Sequence, residues 1–168
     1  MAKLLFKERE EYDGTLYEFQ IFAWDSDKDI EDKKVRQVWG LVVDDENKVL
    51  IVSEDEKEWG FPGGTIENNE TFIETLNREV YEEAAVKLDQ NSISPLFSQD
   101  VIKISNGEEI YDTTQIRLFG RINKKEKFVS DPGGDTKFQK YIEVDELRKY
   151  IKWESIGLIA NLLKEKLS

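Results

Sequence analysis

The chain has 168 residues, 36 acidic against 24 basic, a formal net charge of −12, and neither cysteine nor histidine. Disulfides, thiolate nucleophiles, cysteine–zinc sites and imidazole bases are thereby excluded, which leaves acid–base chemistry to carboxylates, lysine, tyrosine or metal-bound water. So acidic a surface repels phosphate polymers and argues against a nucleic-acid duplex as partner, while the length suits one domain over residues 1–168.

The N-terminal MAKLLFKEREE has no apolar stretch of signal-peptide length, and no run approaches the ~20 residues of a membrane span, so a soluble, cytoplasmic protein with no membrane partner is expected. Residues 15–23 (TLYEFQIFA), aromatic and β-branched, read as a strand. Residues 25–34 form a charged loop. In it Asp25, Asp27 and Asp29 imitate the start of an EF-hand, but Ile30 stands at the glycine position and Arg36 at the twelfth, which argues against calcium. Residues 35–43 predict a strand whose apolar end is buried on both faces; a turn at 44–47 and a strand at 48–53 complete a hairpin. A polar loop then leads to Trp59 and the turn Pro62-Gly63-Gly64.

The next helix is predicted to start near Thr71, where Thr71 and Glu74 have capping-box spacing. Ile73, Leu76, Val80 and Ala84 make its buried stripe at helical intervals. Glu79, Glu82 and Glu83 stand at i, i+3 and i+4, so their side chains share one helix face. Carboxylates clustered this way repel unless a cation relieves them, and hard oxygen donors suit Mg²⁺ or Mn²⁺. A solvated acidic helix face is the plain alternative for the same residues. Further strands are expected at 93–104 and 113–122, the second placing Gln115, Arg117, Phe119 and Arg121 on one face by alternation. A last strand at 138–144, a helical turn at 145–150 and an amphipathic helix at 153–167, with Ile156, Ile159, Ala160, Leu163 and Leu167 inward, end the chain. The class is α/β: a mixed sheet with helices packed on it.

From Gly64 to Val86 the chain reads GTIENNETFIETLNREVYEEAAV. Gly64, Glu70, Arg78, Glu79, Val80, Glu82, Glu83 and Val86 match the pattern G-x5-E-x7-R-E-U-x-E-E-x-G-U, with U aliphatic. This is the Nudix box, and the chain resembles the Nudix hydrolase superfamily, including its MutT-like members. Phe61-Pro62-Gly63-Gly64 before the box is also usual there. One position departs: Ala85 replaces the late glycine. Alanine there either accepts a left-handed backbone at a cost of ~1–2 kcal/mol or lets the helix run on by half a turn.

The resemblance implies a Nudix-type α/β/α sandwich, and a hydrolase that cleaves a diphosphate bond in a nucleoside diphosphate linked to another group. It implies that Glu79, Glu82 and Glu83, with the Gly63 carbonyl, hold Mg²⁺ (or Mn²⁺), and that Glu79 or Glu82 is the general base. Arg78 and Glu70 take a supporting role in the catalytic set, a guanidinium holding carboxylates in place. A further metal carboxylate is sought among Glu108, Glu109 and Asp112, or Asp131 and Asp135. Arg117 and Arg121 are candidates for phosphate contact, and Phe19, Trp24 and Trp39 for base stacking, although an exposed sheet face and a core explain them as well. Markers of the ADP-ribose and dinucleoside polyphosphate sub-families are missing at residues 101–104, which favours a MutT-like (d)NTP pyrophosphatase acting on a small-molecule nucleotide. The alternative from another class is a Nudix-fold module that binds or senses a nucleotide without turnover. Dimerisation is common in the superfamily; no sequence feature here demands a homodimer.

Overall fold

The computed structural model describes residues 2–129 and 135–168. Its strands are β1 (Leu4–Tyr12), β2 (Thr15–Ala23), β3 (Val35–Val43), β4 (Val49–Ser53), β5 (Trp59–Gly60), β6 (Gly63–Thr65), β7 (Val86–Ser105), β8 (Glu108–Lys125) and β9 (Phe138–Ile142). Helix α1 (Phe72–Ala84) lies between β6 and β7, and α2 (Leu147–Tyr150) and α3 (Ile156–Leu167) close the chain. Among the described residues no helix is long and apolar enough to cross a membrane.

The strands form one sheet in the order β1-β2-β7-β8-β3-β4-β5, with β6 also on β3 and β9 on β4. β3 and β8 run parallel and the other pairs antiparallel, so the sheet is mixed. Two tight hairpins drive its larger half. Asp13-Gly14 joins β1 to β2 and Asn106-Gly107 joins β7 to β8, and all four residues have positive φ. Turns of that hand match the twist of the strands they join.

Alternation along β3 splits the core in two. Val38 and Val42 pack with Leu76, Val80 and Ala84 of α1, whereas Leu41 and Val43 pack with Ile156, Ile159 and Leu163 of α3. Helices thus cover both faces of the sheet, the α/β sandwich anticipated from the sequence. β1 is a strand beyond those predicted, and two expectations need correction. β7 and β8 each extend well past 93–104 and 113–122, because their apolar centres propagate pairing into polar flanks. Ile73 is 44% exposed while Thr75 is fully buried. The buried arc of α1 is rotated toward the side bearing Glu79 and Glu83.

Candidate active site

The Thr71 cap sets where α1 begins. Glu74 N–H donates to Thr71 Oγ1 at 3.2 Å and Thr71 N–H to a Glu74 carboxylate oxygen at 2.7 Å, the reciprocal pair that the spacing predicts. The helix then stands over β6, so its acidic flank meets the turn at Pro62–Gly64. Gly40 N–H donates to the Pro62 carbonyl at 2.8 Å, and Gly63 pairs with Trp39, which pins that turn to β3. Gly63 N–H donates to Glu83 Oε2 at 3.1 Å, tying turn to helix. Gly64 is needed for room. A Cβ there would lie 2.4 Å from Glu79 Oε1.

Arg78 organises the rest. Its Nε and Nη2 donate to the two oxygens of Glu70 at 2.7 and 3.0 Å, and Nη2 also reaches the Thr65 carbonyl at 3.0 Å. Nη1 donates to Glu79 at 2.8 Å and to Glu82 at 3.3 Å, with Glu67 at 3.8 Å. Thr75 Oγ1 donates to Glu70 at 2.9 Å, completing the clamp. The guanidinium holds Glu70 down to about 2. Glu79 goes the other way: burial raises it, against the pull of Arg78, and Glu82 and Glu67 add to the rise.

Glu79, Glu82 and Glu83 therefore lie on one side of α1 as predicted, but their oxygens are divided between Arg78 and the Gly63 N–H. Among the described residues, no set of three or more carboxylates converges as a ready cage for a metal. The physical reason is plain. Charged oxygens near a buried margin take whatever N–H donors are in reach. In donor type and charge the site still fits a divalent ion. Hard oxygens outnumber the cation beside them, and Gly64 leaves a cradle for the Glu79 carboxylate.

Of the candidates outside the box, Asp135 lines a cavity of about 250 Å³ together with Glu83 and Trp39. Asp131 lies outside the described residues. Glu108, Glu109 and Asp112 are exposed near the hairpin end of β8, Glu109 being 3.8 Å from Arg9. Arg121 donates to Asn47 at 3.0 Å. Trp24 is core, 5% exposed. Arg117 is not on an exposed sheet face, the plain alternative to phosphate contact, but 5% exposed in the floor of a cleft of about 740 Å³. Phe19 and Trp39 line the same cleft. Sequence reasoning missed Trp153 and Gln99, which also line it. Only the folding back of residues 150–154 brings Trp153 there, and no local signal announces that.

Ala85 is settled by the backbone. Its φ of 54° and ψ of 39° are left-handed, and the helix stops at Ala84 rather than running on. A Cβ penalty is accepted because Val86 must turn at once into β7, where Glu126 N–H donates to the Ala85 carbonyl at 2.8 Å.

The NUDIX domain model matches residues 33–162. Over 73 residues the chain is 33% identical to the 8-oxo-dGTP diphosphatase of Proteus vulgaris, a match covering 40% of this chain and 65% of that relative. The chain thus spans less than two thirds of the curated relative's length. In structure it is similar to the pyrophosphohydrolase BsRppH of Bacillus subtilis, with a TM-score of 0.66 and 20% identity, covering 96% of this chain and 97% of that one. It is also similar to MutT of Bacillus halodurans, with a TM-score of 0.53 and 19% identity over 75% of this chain and 79% of that one. These two likenesses speak to the fold. With the family model spanning most of its length, and the fold agreeing, this chain belongs to the NUDIX domain family.

Proposed function

We propose that the protein is a divalent-metal-dependent hydrolase that cleaves a diphosphate linkage in a small nucleotide, with (d)NTP pyrophosphatase activity the favoured case. The observation that carries this is the position of the box. Glu83 lines the smaller cavity, and that cavity shares Trp39, Gly60 and Phe61 with the larger aromatic cleft. Carboxylates for a metal thus adjoin a space fit for a flat organic group. The named relative, an 8-oxo-dGTP diphosphatase, supports a nucleoside triphosphate as the substrate class.

Glu79, Glu82, Glu83 and the Gly63 carbonyl would hold Mg²⁺ or Mn²⁺, which when bound neutralises phosphate charge and acidifies water. Glu79 is the better-placed base. It is partly buried against the turn at Gly64, where its carboxylate can take the proton of the attacking water, whereas Glu82 is exposed. The water oxygen bonds to phosphorus as the bridging P–O bond breaks, and phosphate or pyrophosphate departs. Arg78 and Glu70 keep Glu79 in place from below.

The test is product release from a panel of nucleoside triphosphates and diphosphate derivatives, with and without Mg²⁺, for wild type and Glu83→Gln. Removal of a ligand is expected to cost at least about 100-fold in kcat/KM. Mg²⁺ should also raise the melting temperature of wild type more than that of the variant. Equal turnover by the two proteins would refute the mechanism. A sensing module without turnover is the second reading, favoured by the engagement of Glu79 and Glu82 with Arg78; tight nucleotide binding without any metal-dependent product would select it.

A further inference from the structure

Beside the box lie two buried donors with nothing to donate to. Arg117 stands within β8, in register with Trp39 on β3 and Phe97 on β7. Its guanidinium carbon is 5.6 Å from the Trp39 ring centre and 5.7 Å from that of Phe97. Its strand neighbours therefore offer π faces and no carboxylate. Nη2 donates to Gln115 Oε1 at 3.0 Å, but Nη1 is buried without a partner. Trp39 Nε1 is buried and unpartnered as well. A cation sunk in a sheet without counter-charge, with one arm unbonded, is costly to fold. Such a cost persists where a ligand relieves it.

The unbonded groups are donors, so the ligand must bring acceptors. The walls decide which kind. Phe19, Trp39, Phe61 and Trp153 give the cleft flat apolar sides, and its four glutamates balance Arg117 and the three other cations that line it. A lining without net positive charge gives a free anion little, whereas an uncharged heteroaromatic ring with two adjacent acceptors stacks on the walls and meets the donors. The O6/N7 edge of guanine is such an edge; adenine presents an amino donor beside N7 and would set N–H against N–H. Burial draws Arg117 down to about 9, which still leaves it charged at neutral pH.

We propose that Arg117, assisted by Trp39, reads the base of the substrate, donating to the O6/N7 edge of a 6-oxopurine stacked in the cleft. The assignment rests on the nucleotide reading above and names its base class. A base seated there directs its phosphates through the shared wall of Trp39, Gly60 and Phe61 toward Glu83.

Calorimetric titration of the full chain in EDTA with GMP, AMP and inorganic phosphate tests this without hydrolysis. Wild type should bind GMP about tenfold or more tighter than AMP, as one good two-point base contact confers. Arg117→Gln should bind the two alike, and Trp39→Phe, which keeps a ring but loses the N–H, should weaken GMP several-fold. Should Arg117→Gln lack a native melting transition, Arg117→Lys replaces it, since it keeps charge without the fork and must also lose the preference. Equal binding of GMP and AMP by wild type overturns the proposal. So does a preference that survives in the Arg117 variant, or displacement of GMP by phosphate at equal affinity. Base preference without metal-dependent turnover would sink only the hydrolase reading; turnover without base preference would sink only this one.

Discussion

Arg78 and Glu70 meet through two parallel bonds, Nε to Oε1 at 2.7 Å and Nη2 to Oε2 at 3.0 Å, while the remaining nitrogen reaches Glu79 at 2.8 Å. One rigid plane thus relates the loop before α1 to a carboxylate proposed to bind metal. Lysine is a point charge and cannot hold both at once. Arg78→Lys is expected to lower kcat/KM about 10–100-fold, the usual cost of losing a group that orients a metal ligand. Its melting temperature should move little. Unchanged turnover in the variant would show that the fork does not position Glu79.

Two adjacent glycines should separate folding from function. At Gly64 an added Cβ would meet the tip of Glu79, at 2.4 Å from Oε1 and 2.6 Å from Cδ, and a flexible carboxylate can swing away. At Gly63 it would meet backbone, 2.4 Å from the Val38 carbonyl oxygen and 2.5 Å from Trp39 Cα, which cannot. Gly64→Ala should therefore melt close to wild type yet lose activity and the stabilisation by Mg²⁺. Gly63→Ala should lose about 1–3 kcal/mol through overpacking, visible as a fall of several degrees in thermal denaturation. A Gly64→Ala protein with full activity would mean that Glu79 works equally well displaced.

The elements that were legible in the sequence are those governed by local rules. Thr71 and Glu74 announced the start of α1, and Leu76, Val80 and Ala84 its inner face, because capping and helical period act over a few residues. β1 escaped notice because Glu8, Glu10 and Glu11 spoil its alternation; it is held by pairing with β2 across Asp13-Gly14, a dipeptide that could have revealed the hairpin. At the site, the shared face of Glu79, Glu82 and Glu83 follows from helical spacing, and the Arg78–Glu70 pair from the resemblance to the Nudix box. What Arg117 faces did not. Alternation put it on a face, but whether that face meets water or aromatic rings depends on residues far away in the chain.

Asp44 ties the β3–β4 turn to the end of β8. Its Oδ1 accepts from the N–H groups of Glu46 and Lys48 at 3.0 and 2.9 Å, and Oδ2 takes the Lys125 ammonium at 2.9 Å. Burial would raise this carboxyl, but Lys125 and the two N–H bonds outweigh it and hold it below its ordinary 3.8. A depressed folded value means stability that is present above the unfolded pKa and lost as pH falls through the folded one. Asp44→Asn should cost about 1–3 kcal/mol at pH 7, the scale of a bond to a charged group. Thermal melts should show the gap between variant and wild type narrowing as pH falls below the ordinary 3.8. A gap independent of pH would mean that the loss comes from geometry and not from charge.

Ala85 carries a correctable strain. With φ at 54° it adopts the conformation that closes helices on glycine, and its N–H donates to the Tyr81 carbonyl at 2.9 Å. A side chain in that region costs ~1–2 kcal/mol, whereas glycine enters it freely. Glycine also leaves the unfolded chain with more entropy to lose, which offsets part of the gain. The net expectation for Ala85→Gly is a stabilisation of about 1 kcal/mol, or roughly 2–4 °C in melting temperature for a chain of this size. Activity should be unchanged, because the turn into β7 already has the geometry that glycine prefers. A lower melting temperature would mean that packing of the alanine methyl outweighs the backbone strain, and that its presence at this position is stabilising in its own right.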